Sequence, residues 1–101
     1  MAHKKLGILI TRYANLDHIS GVVKAAIQAG HPVRIFVTDE GVKFTRDRNF
    51  LELLDLDGVE VAVCDHMCEV LGVKEKFAGI TYGSQFDNAG MLHDSDRVLV
   101  F

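Results

Sequence analysis

The sequence predicts an α/β domain built on a mostly parallel sheet of about five strands. Three observations carry that prediction. Short apolar runs rich in β-branched residues recur along the chain, each of strand length. Between them stand segments whose apolar residues repeat at helical spacing. Glycines and capping residues punctuate the joins.

The elements follow in order. Leu6 to Ile10 is an apolar run that fits a strand buried on both faces. Asn15 is placed to cap a helix, and Asp17 suits the positive end of its dipole. Leu16, Ile19, Val22, Val23, Ala26 and Ile27 then recur at helical spacing until Gly30. Val33 to Val37 is a second strand, after which Thr38 to Gly41 turns the chain. Phe50, Leu51, Leu53, Leu54 and Leu56 give a short amphipathic helix closing near Gly58, and Val59 to Val63 is the third strand. Met67, Val70 and Leu71 fit a short helix running from just after Cys64 to Gly72. Phe77 to Tyr82 fits a brief fourth strand interrupted by Gly79. Ser84 and Asp87 form an S-x-x-D capping signature around Phe86 and ahead of Ala89 and Leu92, which predicts a last helix. Arg97 to Phe101 is the final strand, with nothing after it to cover its edge.

A chain of 101 residues supports one domain over 1–101 with a single core. With 49% apolar and 25% charged residues, disordered and collagen-like architectures are excluded. A net charge of −3 argues against a broad surface for nucleic acid or anionic membrane. No apolar run approaches the roughly 18 residues of a spanning helix. The opening Met1 to Leu6 lacks the apolar stretch of a secretory signal. Two cysteines do not make a disulfide scaffold. The expectation is a cytoplasmic protein that engages neither nucleic acid nor membrane.

In parallel sheets, ligands and chemistry sit beyond the carboxyl ends of the strands. That rule selects Thr11 to Asp17, Thr38 to Thr45, Cys64 to Cys68 and Tyr82 to Asp87. Several chemistries fail there. The first strand is followed by neither G-x-G-x-x-G nor G-x-x-x-x-G-K-[ST], so dinucleotide and Walker-type phosphate binding lack their glycines. A receiver domain needs an acidic pair after the first strand, where Thr11, Arg12 and Tyr13 stand instead. There is no G-x-S-x-G, and the cysteines are spaced C-x-x-x-C rather than C-x-x-C. Cys64, His66 and Cys68, with a distant His18 or His93, lack the paired-ligand spacing of zinc sites. No metal and no cofactor is therefore expected.

Cys64 remains. It ends a strand and opens a helix, where first-turn N–H groups would stabilise a nucleophilic thiolate and lower its pKa. His66 would add positive charge, while Asp65 and Glu69 oppose the effect. The alternative is a free cysteine acting as a small buried apolar residue. Cys68, one turn on, is either core filler or a second, resolving thiol. Both cysteines are expected to stay free, since two positions on one helix converge poorly for a disulfide. Arg12, Tyr13, His18, Asp39, His66 and Tyr82 are the candidate pocket residues, the plainer alternative being a solvated surface.

Three stretches carry a resemblance. They are K-K-L-G-I-L-I-T with the helix ending A-A-I-Q-A-G-H-P-V-R-I-F-V-T-D-E-G-V; G-V-E-V-A-V-C-D-H-M-C-E-V-L-G-V; and G-I-T-Y-G-S-Q-F-D-N-A-G-M-L-H-D-S-D-R-V-L-V-F. In order and spacing the chain resembles the DsrE/DsrF-like family, which includes the Tus-type sulfur-relay subunits. The resemblance implies a three-layer α/β/α fold, assembly into a trimer or hexamer, and a persulfide carried on Cys64. It also implies sulfur-donor and sulfur-acceptor proteins as partners. The segment after Cys64, with Asp65, His66, Met67 and Cys68, departs from commoner family versions, which place small residues or an arginine there. Two functions therefore stand side by side. One is a sulfur carrier or sulfurtransferase; the other is a non-catalytic oligomeric module with a small-anion or partner-protein pocket at the strand ends. An exposed Cys64 favours the first, a buried one the second.

Overall fold

The computed structural model describes residues 4–101. The first three residues, part of the stretch read for a secretory leader, lie outside them. Five strands, β1 (Leu6–Ile10), β2 (Val33–Val37), β3 (Val59–Cys64), β4 (Ile80–Gly83) and β5 (Arg97–Val100), form one sheet. Its order is β4-β3-β2-β1-β5, and every pairing is parallel. The helices are α1 (Leu16–Gln28), α2 (Arg48–Leu51), α3 (Asp65–Val70) and α4 (Gln85–Asp94). None of the described helices is long and apolar enough to cross a membrane.

The strand order explains the layers. From β1 to β4 each strand lies beside its predecessor, whereas the step from β4 to β5 crosses the whole sheet. The first three connections share one face. There Ile19 and Val23 of α1, Phe44, Phe50, Leu53 and Cys68 pack onto Ile8, Ile10, Val33, Ile35, Val37, Val61, Val63 and Ile80. Alternation along each strand sends the intervening side chains to the opposite face. On that second face Phe36 and Cys64 meet Met91 of α4, with Leu9, Ala62 and Val98 beside them. The result is the three-layer α/β/α arrangement, with α4 alone as the third layer.

Several local expectations change. Residues Asp39–Arg46 form a 3₁₀ helix rather than a simple turn. Val42, Phe44 and Thr45 are buried there, and the Thr45 hydroxyl donates to the Val42 carbonyl at 2.9 Å, which fits a tight i→i+3 winding. The amphipathic helix expected over Phe50 to Leu56 is split into α2 and a 3₁₀ turn, Glu52–Asp55, with the Asp47 carboxylate accepting from the Asn49 N–H at its start. Asn15 holds the cap position of α1 but adopts φ 65°, and its side chain makes no capping bond. The fourth strand begins at Ile80, three residues later than expected. The Phe77 N–H donates to the Tyr82 hydroxyl at 2.8 Å, and Gly79 sits at φ 90°, so residues 77–79 loop back instead of pairing.

The capping box at Ser84 and Asp87 is present in full. It needs Gly83: the Asp87 carboxylate accepts the Ser84 N–H at 2.8 Å and lies where a Cβ on residue 83 would stand. The apolar residues expected to define the face of α4 do not face the sheet. Phe86 is 84% exposed and Leu92 is exposed too, while Met91 turns inward. The second face is narrow, and Met91 and Ser95 settle over Gly7, the one position on β1 with no side chain to displace them. The final strand is the expected edge, pairing only with β1 and leaving Val100 65% exposed.

Candidate functional site

Cys64 occupies the last position of β3 and the cap position of α3. Its register partner across the sheet is Gly83, the last residue of β4. After β3 the chain passes to α3 on one face, and after β4 to α4 on the other. Two neighbouring strands whose connections part in this way define a switch point, where open parallel sheets form their binding crevice. Cys64 therefore stands at the switch point, on the α4 side of the sheet.

The thiol is covered. Cys64 is 6% exposed and packs with Phe36 and Met91. As the cap residue of α3 it makes no side-chain bond to the first turn, so the expected stabilisation of its sulfur by those N–H groups is absent from the structure. Asp65 ion-pairs with Lys76, whose ammonium also lies 4.2 Å over the Tyr82 ring. The Asp65 carboxylate in turn pushes the Lys76 ammonium up from its ordinary value.

Polar side chains border the thiol on the same face. Val37 and Val63 are register partners, so Thr38 and Cys64 follow side by side at the carboxyl ends of β2 and β3. Thr38 is 7% exposed, and its hydroxyl accepts from the Gln85 side-chain amide at 3.5 Å. Gln85 in turn accepts from the Asn88 amide at 3.2 Å. The other end of Asn88, its Oδ1, is buried without a donor. Sequence reasoning marked the segments holding Thr38 and Gln85 but not their roles, and missed Asn88. The signal available was spacing, since Asn88 stands three residues before the inward-facing Met91.

Cys68 lies in the main core. It is fully buried in the core cluster on the opposite face of the sheet. Burial pushes its thiol up from the ordinary value, the Lys76 ammonium partly offsets this, and Asp65 and Cys64 add to it. Both cysteines are free.

The six candidate pocket residues do not assemble around Cys64. Tyr82 faces the α1–α3 side and is occupied by the Phe77 N–H and Lys76. Tyr13 packs edge-on against Phe44, with ring centroids 4.9 Å apart. His18 borders an open hollow at the start of α1 with Asn15, Leu16 and Asp17. Arg12, Asp39 and His66 are exposed. Among the described residues no three His, Cys, Asp or Glu side chains come together as a metal site.

No curated protein matches this sequence closely enough to count as a relative. The fold nevertheless has a known kind. A parallel five-stranded sheet, a cysteine at the end of its third strand and a capped last helix span the same residues that the DsrE/DsrF-like family model matches, 4–101, and the chain belongs to that family.

Proposed function

We propose that this protein is a sulfur carrier of the sulfur-relay type, with Cys64 as the thiol that receives and passes sulfur. The observation that carries the reading is position: within a family related to sulfur relay, the thiol stands at the switch point of the sheet, opposite Gly83. The Cys64 thiolate attacks the outer sulfur of a donor persulfide. A new S–S bond forms to Cys64, the donor's S–S bond breaks, and the donor leaves as a thiolate. An acceptor thiolate then repeats the exchange on the Cys64 persulfide, returning Cys64 as a thiolate. No electrons are gained or lost overall, so the exchange calls for no metal or organic cofactor. Donor and acceptor are proposed to be proteins. The exposed edge of β5, with Leu99 and Val100 uncovered, supports self-association, and a trimer or hexamer is the assembly proposed from the family resemblance. Light scattering at micromolar concentration tests the assembly, and a monomeric mass removes it.

A second reading rests on its own observation. Cys64 is buried and its sulfur has no N–H donor from α3, which favours a non-catalytic binding module in which Cys64 only packs. Intact mass spectrometry after incubation with a small persulfide donor separates the two. The carrier reading predicts an added mass of about 32 Da, one sulfur atom, on wild type and Cys68→Ser but not on Cys64→Ser. No adduct, or one that persists in Cys64→Ser, supports the binding module.

A further inference from the structure

A thiol that exchanges sulfur has to be reached, and Cys64 is buried in a cluster with Phe36 and Met91 of α4, with Met67 of α3 packed against its edge. Helix α4 is lightly held. Of its ten residues only Met91 is buried. Besides that side chain, two polar contacts fasten α4 to the sheet. At its start the Gln85 amide reaches the Thr38 hydroxyl at 3.5 Å; at its end the Asp94 carboxylate accepts from Arg34 at 3.0 Å. The Arg34–Asp94 contact is at the surface, where such bonds exchange readily with water, and the Gln85–Thr38 contact is long and only partly buried. The interface is also imperfect. Two buried side-chain oxygens lack a partner, Asn88 Oδ1 in α4 and Ser95 Oγ at its C-terminal cap. An element with few apolar contacts and unpaired polar atoms beneath it opens before the rest of a domain does.

We propose that α4 is a lid over Cys64, fastened at one end by Gln85 on Thr38 and at the other by Asp94 on Arg34, so that sulfur reaches Cys64 only when the helix lifts from the sheet. Gln85 and Arg34 are positioning residues: they act on the thiol through the helix. The lid deepens the sulfur-carrier reading and takes its purpose from it, but it is tested without sulfur transfer. It also reconciles a thiol at the switch point with that thiol's burial. Closed, the helix shields a persulfide from stray thiols; open, it admits the partner's sulfur.

The experiment measures iodoacetamide alkylation of Cys64 in the Cys68→Ser background. When lid motion is fast, the rate equals the free-thiol rate multiplied by the open fraction. Releasing one fastening raises that fraction by the worth of one weak polar contact. Gln85→Ala and Arg34→Gln should therefore each speed alkylation about 2- to 10-fold. Arg34 is the sharper test, because it sits near the amino end of β2 while Cys64 ends β3. Lys24→Ala, on the exposed side of α1, should leave the rate unchanged. Amide exchange on wild type supplies a readout that depends on no variant, with α4 exchanging faster than α1. The lid is overturned if neither fastening variant changes the rate, or if the rate rises only in step with exchange of the whole sheet. A sulfur adduct on Cys64 with no response to Gln85→Ala or Arg34→Gln removes the lid and leaves the carrier. The response without any sulfur adduct leaves the lid and removes the carrier.

Discussion

On one face of the sheet, α1 buries Ile19 and Val23 completely and brings Leu16, Val22, Ala26 and Ile27 against the same core. On the other face, α4 buries Met91 and little else. A fully buried aliphatic side chain contributes about 1.5–3 kcal/mol, so α4 rests on roughly one such contribution where α1 has at least two. The dense face also holds an aromatic stack, with Phe44 and Phe50 rings 5.5 Å apart and nearly parallel. The thin face holds the two buried oxygens without partners. The difference teaches where stability and access are kept. Cys68 is locked on the dense side, while Cys64 lies under the thin one.

The comparison is open to direct attack. The largest effect should come from the dense face: Phe50→Ala removes a fully buried ring and should cost about 3–5 kcal/mol, lowering the urea midpoint of the whole domain. Gly7→Ala strikes the thin face. A methyl there meets the Met91 sulfur and the Ser95 hydroxyl, each at 2.5 Å, so the one buried side chain of α4 and its cap residue must give way. The expected loss is about 1–3 kcal/mol, appearing first as faster amide exchange within α4. An equal loss of protection in α1 would show that the two faces are not separable.

A third effect concerns pH and the buried Cys68. Burial raises its folded pKa, so the folded chain keeps the proton where the unfolded chain has lost it. The resulting stabilisation is complete below the ordinary thiol range and declines as pH climbs through and above it. Melting temperature should therefore fall more steeply above about pH 8.5 in wild type than in Cys68→Ala. Parallel curves would contradict it. The smallest effect is at the rim of the thin face. Arg34 is partly exposed and pairs with Asp94 at 3.0 Å and Glu60 at 3.6 Å. Arg34→Gln should change global stability by less than about 1 kcal/mol while still loosening α4.

Much of this was legible in the residues, and what was not has physical reasons. The apolar runs at Leu6, Val33 and Val59 located three strands because a strand buried within the sheet leaves an uninterrupted apolar signature, and the run at Arg97 located the fourth through its β-branched and aliphatic residues although it is an exposed edge. The Ser84–Asp87 box located α4 because capping is a local bargain between neighbours. Which side of α4 faces the sheet was not local. Phe86 and Leu92 outweigh Met91 in any apolar count, yet the missing side chain at Gly7 decides the outcome. For Cys64 the position was legible and the environment was not. Whether a cap residue's sulfur meets first-turn N–H groups depends on its rotamer, and its burial depends on a helix that follows twenty residues later. The fourth strand shifted because a hydrogen bond from Phe77 to Tyr82 bends the segment, and no propensity encodes that bond.

Amide hydrogen exchange on the native protein, resolved by segment, tests the central claim most directly. The contrast between faces predicts that α4 exchanges through local opening, well before global unfolding, while β1, β2, β3 and α1 exchange together near the global limit. Denaturant should then leave α4 exchange almost unchanged at low concentration while steadily accelerating the strands. Protection of α4 equal to that of α1, with the same denaturant dependence, would contradict the claim and leave Cys64 sealed in a uniform core.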